Sequence, residues 1–148
     1  MILPYKRYFD FSGRSRRMEY WMFTLLNVLI VIVFMVLLFG MVIPISMAQD
    51  PEAVAESFAG PGALILFGVM FLWFLGTIIP GIAVTVRRLH DRDLSGWWYL
   101  AYIVASILPL ISMVAWIVFL VFMFLDGTNG PNRFGPDPKA RGEASVFE

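Results

Sequence analysis

Charged side chains are absent from three long stretches of this sequence, Tyr20 to Gln49, Ser57 to Val86 and Leu94 to Leu125, of 30, 30 and 32 residues. About 20 apolar residues carry a helix across the roughly 30 Å hydrocarbon core of a bilayer, so each stretch is long enough to span. The pattern predicts a first span over 18–45, with Glu19, Tyr20 and Trp21 at its interfacial start, and a second over 63–86. A third apolar block covers 97–125 and holds Pro109 near its middle. Unbroken, it would be a helix about 43 Å long, able to fit only by tilting or kinking. Turning at Leu108-Pro109-Leu110 instead gives a thin or re-entrant hairpin with arms of about 18–24 Å. The expectation is the hairpin, with a kinked span as the alternative. The fold class is all-α: a polytopic helical membrane protein with two full spans plus a Pro-broken block, forming one membrane domain over 1–148.

The intervening segments set the expected orientation. In residues 1–17, Ile2, Tyr5, Tyr8, Phe9 and Phe11 share one helical arc and Lys6, Arg7 and Asp10 the other. That predicts either a short interfacial helix or an irregular aromatic tail. The 46–62 segment holds Asp50, Glu52 and Glu56 but no Lys or Arg, and Pro51, Gly60, Pro61 and Gly62 mark it as a loop. Basic residues gather in short cytoplasmic loops. Five precede the first span, three (Arg87, Arg88 and Arg92) lie in the 87–96 loop, and none lies in 46–62. The N-terminus and 87–96 are therefore expected inside, and the acidic loop outside. Arg133, Lys139 and Arg141 favour a cytoplasmic tail over 126–148 as well.

Composition removes several function classes. Of 148 residues, 59% are hydrophobic and 15% charged, against roughly a quarter charged in average soluble domains. That excludes a soluble globular domain, a disordered chain and a disulfide scaffold. The absence of cysteine excludes a lipidated cysteine, an iron–sulfur cluster and a thiolate zinc site, and a single histidine excludes a multinuclear His-based metal centre. No cofactor and no nucleic-acid partner is expected. A cleaved signal peptide has an apolar region of about 7–15 residues, shorter than the run from Tyr20 to Ile45. No span carries a charge at its centre, which weakens ion-coupled or proton-coupled transport.

Three clusters hold the candidate chemistry. The first is Gly13-Arg14-Ser15-Arg16-Arg17-Met18-Glu19-Tyr20-Trp21. Its arginines can be topology signals, or can grip phosphate or carboxylate with the planar guanidinium fork. Glu19, beside the first apolar turn, is costly unless paired, and Arg16, Arg87 or Arg88 could supply the partner. The second cluster runs from Arg87 through His90 and Asp91 to Trp97 and Trp98. Cations suit a helix C-terminus and Asp91 would offset part of their charge. Trp97 and Trp98 would anchor the next block at the interface, as Tyr20 and Trp21 anchor the first. The third cluster, Asp126 to Pro138, lacks a Walker Gly-Lys-Ser/Thr and reads as turns closing a membrane helix. Together these nominate a cytoplasmic-face cluster of Arg14, Arg17, Glu19, Arg87, Arg88, His90, Asp91, Asn132, Arg133 and Gly135. Thr77, Gly81 and Thr85, with Gly76 beside them, form a small-residue stripe suited to helix packing within the chain or between copies.

In these clusters the chain resembles the domain-of-unknown-function 805 family of small bacterial inner-membrane proteins. Gly13, Arg14, Arg17, Glu19, Tyr20 and Trp21 match its Gly-Arg-x-x-Arg-x-Glu-Tyr-Trp motif. Arg87 through Asp91 and Ser95 through Trp98 match a second motif, and Gly127, Thr128, Gly130, Asn132, Phe134, Gly135, Asp137 and Pro138 match the tail. The long acidic outer loop departs from the family, where it is often shorter. The resemblance covers nearly the whole chain. It implies an integral protein of the bacterial inner membrane and no particular reaction. The expected function is a non-enzymatic module that binds anionic phospholipid headgroups or a partner protein at its cytoplasmic face. One rival is a small oligomeric transporter or channel subunit. The other is a membrane enzyme using Glu19, His90 and Asp91 on a lipid-linked substrate.

Overall fold

A computed structural model describes residues 1–46 and 51–139. These hold six helices and no strand: α1 (Leu3–Lys6), α2 (Arg17–Ser46), α3 (Pro51–Ala59), α4 (Pro61–Asp91), α5 (Trp97–Ile107) and α6 (Pro109–Phe124). Residues 47–50 of the expected outer loop, with Asp50, and the tail from 140, with Arg141, lie outside the described residues. Two compact units divide the chain, one formed by 1–23 with 79 onward, the other by 24–78.

Helices α2 and α4, of 30 and 31 residues, are each about 45 Å long. Only 6% of the most apolar window of each is buried. A core helix of a soluble protein would be mostly covered, whereas here Val28, Ile32, Val36, Leu72 and Phe74 stand exposed. Apolar faces of this length and exposure match hydrocarbon rather than water. Pro51, Pro61 and Pro109 open α3, α4 and α6, because proline's missing N–H has no helical partner in the first turn anyway.

The 46–62 segment, expected as an outer loop, contains α3. Its Pro-Glu-Ala-Val-Ala-Glu sequence combines good helix formers with Glu52 in the first turn, where the helix dipole favours an anion. Proline at the start of the segment therefore begins a helix instead of interrupting one. The 87–96 segment is also helical as far as Asp91. There the helix stops in a Schellman motif: Leu94 N–H donates to Leu89 O at 3.0 Å, and Asp93 takes the left-handed conformation at φ 58°. Aspartate tolerates that region better than most residues, so no glycine is needed.

The third apolar block is a hairpin. Leu108, extended as a residue before proline tends to be, separates α5 from α6. Tyr102 stacks on Phe119 at 4.2 Å, and Tyr99 lies 6.0 Å from the same ring, so the two arms run antiparallel. At 11 and 16 residues they are about 16 and 24 Å long.

Within the first unit, the start of α2, the end of α4 and the end of α6 share a small core of Phe23, Ala83, Val84, Leu89 and Met123. The Phe23 ring packs across Gly81, where an added Cβ would make ordinary contact with it at 3.8 Å. Thr85 is buried and donates back to Gly81 O at 2.8 Å. The upper half of the predicted stripe behaves differently. A Cβ at Gly76 would meet nothing within 4 Å, and Thr77 donates to Phe74 O at 2.9 Å. In the N-terminal segment α1 is a single helical turn. Asp10 accepts from Arg7 Nη2 at 2.6 Å and from Ser12 N and Oγ at 3.0 and 2.6 Å, pulling the backbone into a turn. Those bonds, from Ser12 first and then Arg7, hold the Asp10 carboxyl down at about 2.

Candidate functional site: a buried charge cluster

The last turn of α4 exposes backbone carbonyls that no helical N–H can reach. Here other segments reach them. Asn132 Nδ2 donates to His90 O at 2.9 Å and Thr128 N to Asp91 O at 2.8 Å, and Ser15 N adds a bond to Arg87 O, just inside the last turn, at 3.0 Å. The residue after Ser12 makes this approach possible, because Gly13 turns the chain at φ 75°.

Around that helix end lie six charges almost free of water. Arg14, Arg87, Arg88 and Asp91 are 6%, 0%, 0% and 2% exposed. Asp91 is the hub. Its Oδ1 accepts from Arg14 Nε at 3.0 Å and its Oδ2 from Arg88 Nη1 at 2.6 Å. The Arg88 pair follows from i,i+3 spacing, which puts both side chains on one helix face. Arg14 also donates to Gly130 O at 2.7 Å and Thr128 O at 2.6 Å, with Asp137 Oδ1 at 4.0 Å. Arg88 reaches the end of α6, donating to Met123 O at 3.4 Å and to Leu125 O. Arg87, one residue earlier, points elsewhere. It donates to Glu19 Oε1 at 3.1 Å, to Arg7 O at 3.4 Å and to Asp10 O. Three guanidinium groups thus meet the carboxylates of Glu19, Asp91 and Asp137. Burial of charge is tolerable because each is paired and hydrogen-bonded.

The tail closes tightly over the hub. A Cβ on Gly127 would lie 1.9 Å from Asp91 Oδ2. Beyond it, Asn132 and Gly135 exchange two backbone bonds of 3.0 Å, with Gly135 at φ 136°. Phe134 stacks on His90 at 3.9 Å and 5°. His90 Nδ1 lies 3.2 Å from Gly13 O. A carbonyl only accepts, so Nδ1 carries the hydrogen; burial lowers the His90 pKa and favours the neutral ring, whose Nε2 keeps its lone pair.

Of the nominated residues, Arg14, Glu19, Arg87, Arg88, His90, Asp91 and Asn132 converge here, and Gly135 shapes the turn that covers them. Arg17 and Arg133 stand outside. Arg17 is half exposed and pairs with Asp126 at 3.3 Å, and Arg133 pairs with Asp93 at 3.2 Å and lies over the Phe134 ring. Glu19 takes Arg87 as its partner, while Arg88 serves Asp91 and Arg16 is exposed. Trp97 and Trp98 are exposed. Trp21 instead docks on α6, stacking on Phe124 at 4.2 Å and donating to Met123 O at 3.2 Å, with Tyr20 edge-on to it at 5.3 Å. Ser15, Thr128, Phe134 and Asp137 belong to the cluster without having been nominated. Ser15 Oγ and Arg87 Nε are buried without a partner among the described residues. No three His, Asp or Glu side chains among those residues gather as metal ligands do.

The family described as Protein of unknown function (DUF805) matches residues 8–136. Inner membrane protein YhaI of Escherichia coli (strain K12) is 37% identical over 136 residues, 90% of each chain. Inner membrane protein YhaH of the same organism is 37% identical over 135 residues, 90% of this chain and 91% of that one. The uncharacterized protein YiiR of that strain is 38% identical over 89 residues, 47% of this chain and 56% of the other. No solved structure matches the chain.

Proposed function

The chain belongs to the DUF805 family, and from that premise we propose a multi-pass inner-membrane protein with a cytoplasmic N-terminus. We infer that it is a non-enzymatic module whose cytoplasmic face engages anionic lipid headgroups. The observation that carries this reading is the internal engagement of Arg14, Arg87 and Arg88. Arg14, Arg87 and Arg88 donate to carboxylates and carbonyls of the chain itself, so they hold the face together and are not free to grip phosphate. That task falls to other cations. Among the described residues Lys6, Arg16 and Arg92 have no ion pair; the first two sit in a segment with exposed Ile2, Phe9, Phe11 and Met18, and Arg92 precedes the exposed Trp97 and Trp98. Cations among exposed aromatic and apolar side chains suit an anionic interface, each contributing about 1 kcal/mol near the surface. The bonds tying the N-terminal segment, the end of α4 and the tail support one membrane face for all three. Eight basic residues in the first two of these, against none in 46–62, support the cytoplasmic side.

Thermal stability in mixed micelles tests the lipid reading. Phosphatidylglycerol should stabilise the protein more than phosphatidylcholine at low salt. The Lys6→Gln/Arg16→Gln/Arg92→Gln variant should lose that preference. An absent preference in the wild type would overturn it. Orientation is tested by single cysteines, on a background that has none. An impermeant thiol reagent on intact cells should label Ser57→Cys and spare Ser95→Cys; the reverse pattern would overturn it.

A further inference from the structure

His90 Nε2 has no hydrogen-bond partner among the described residues, although the ring is otherwise fixed on both sides. It opens onto a cleft of about 550 Å³ between the end of α4 and the start of α5. The volume is in the range of small-ligand sites. The cleft has a direction. His90, Ser95 and Gly96 form its polar end, while Ile82, Leu100 and Ile103 line the other. From His90 back to Ile82 the wall is about 12 Å long, which accommodates part of an acyl chain. Gly96 keeps the polar end open, since a Cβ there would lie 2.9 Å from Val86 Cγ1 and 3.7 Å from His90 Nε2. The Ser95 hydroxyl accepts from Trp97 N at 3.4 Å and has its own hydrogen to offer.

We propose that this cleft is the seat of one anionic lipid of the phosphatidylglycerol type, its acyl chain along Ile82, Leu100 and Ile103 and a headgroup hydroxyl donating to His90 Nε2. The proposal rests on the headgroup reading above and gives it a defined site. Three features select the occupant. The protein's long apolar helices place it in lipid, and the cleft straddles the point where the apolar part of α4 gives way to Arg87 and Arg88. An acceptor nitrogen requires a headgroup with a donor, which phosphatidylcholine lacks. The Ser95 hydroxyl hydrogen, without an acceptor among the described residues, suits the headgroup phosphate.

Native mass spectrometry of the intact protein, released from micelles with equal phosphatidylglycerol, phosphatidylethanolamine and phosphatidylcholine, reads the result. One retained phosphatidylglycerol is expected, in preference to the other two. His90→Phe keeps the stack on Phe134 and removes the acceptor, weakening retention about 2- to 10-fold. Ile103→Trp, at a partly exposed position, fills the apolar end and should abolish it; Gly96→Leu should do the same at the polar end. Circular dichroism and gel filtration confirm that each variant is folded. Retention of the lipid in folded Ile103→Trp, or equal retention of phosphatidylcholine by the wild type, would overturn the cleft. The Lys6→Gln/Arg16→Gln/Arg92→Gln variant separates the two readings. It should keep the single bound lipid while losing the bulk preference. Its losing the bound lipid while Ile103→Trp retains it would return binding to the rim cations alone.

Discussion

Gly127→Ala adds one methyl group and should be among the most damaging single substitutions in the chain. Its Cβ would lie 1.9 Å from Asp91 Oδ2, 2.4 Å from Cγ and 2.7 Å from Oδ1. The carboxylate cannot swing aside, because Arg14 holds one oxygen at 3.0 Å and Arg88 the other at 2.6 Å. The glycine's own backbone is equally constrained, since Thr128 N donates to Asp91 O at 2.8 Å. Two routes relieve the clash. The carboxylate leaves its arginines, which at a buried site costs about 3–5 kcal/mol. Or the tail lifts away and forfeits the Thr128 and Asn132 bonds to α4 and both Arg14 bonds to tail carbonyls, at about 1 kcal/mol for each neutral bond and 1.5–3 for each charged one. Both routes come to several kcal/mol, so a loss of about 3–5 kcal/mol is expected. Gly130→Ala is the control. Gly130 has the left-handed φ of 73° yet nothing within 4 Å of its Cβ position, so it should cost only about 1–2 kcal/mol. Judging glycines by backbone angle alone ranks the two the other way. Denaturant unfolding in detergent, followed by tryptophan fluorescence, measures both, and hydrogen exchange over 126–138 reports whether the tail has detached. A Gly127→Ala protein with wild-type stability and a protected tail would refute the closed packing over Asp91.

Glu19→Gln and Arg87→Gln should couple by about 1–3 kcal/mol in a double-mutant cycle, while Glu19→Gln and Arg88→Gln should be additive within about 0.5 kcal/mol; unfolding in detergent checks both. Trp21→Phe keeps the stack on Phe124 and removes the donor to Met123 O, so a loss of about 1 kcal/mol is expected in the same assay. Asp10 should remain ionised at pH 3.5 in a carboxyl NMR titration, because its folded-state value lies at about 2. Its native value is depressed, so its contribution to stability is complete above the ordinary carboxylate range near 3.9 and fades as pH falls through about 2.

The two long helices were legible because hydrophobic length adds up locally and needs no partner to be read. The hairpin was legible for a related reason: Pro109 leaves two arms, each too short to be a full span. The pairing of Glu19 with an arginine followed from the cost of an unpaired carboxylate beside hydrocarbon. Which arginine was not legible. Arg87 and Arg88 differ only by about 100° around α4, and the neighbours at each angle are fixed by the tail and the N-terminal segment. The role of Asp137 was hidden for the same reason, since it reaches Arg14 only after the α5–α6 hairpin brings the tail back. Arg17 and Arg133 were nominated on charge, and charge does not say which side of a segment faces inward. Helix α3 was missed because its flanking prolines read as punctuation, although one of them is its first residue. Glycine is the usual left-handed residue at a helix end, so Asp93 gave no signal of where α4 stops.

The charge cluster also orders events in time. Arg14 pairs with Asp91, 77 residues later, and with Thr128 O, 114 residues later. Chains are made from the N-terminus, so the arginines emerge well before the tail that receives them. Contacts this far apart in sequence bring no return until the loop between them has closed. Docking of the tail can therefore begin only once the tail itself has been made. A chain that stops before Asp126 leaves Arg14 half-satisfied and the end of α4 open, a defect of several kcal/mol against a typical total of about 5–15. Unstable products of that kind are the ones cellular proteases remove. The three motifs, far apart in the sequence, close only in a chain that has been extended through the third of them.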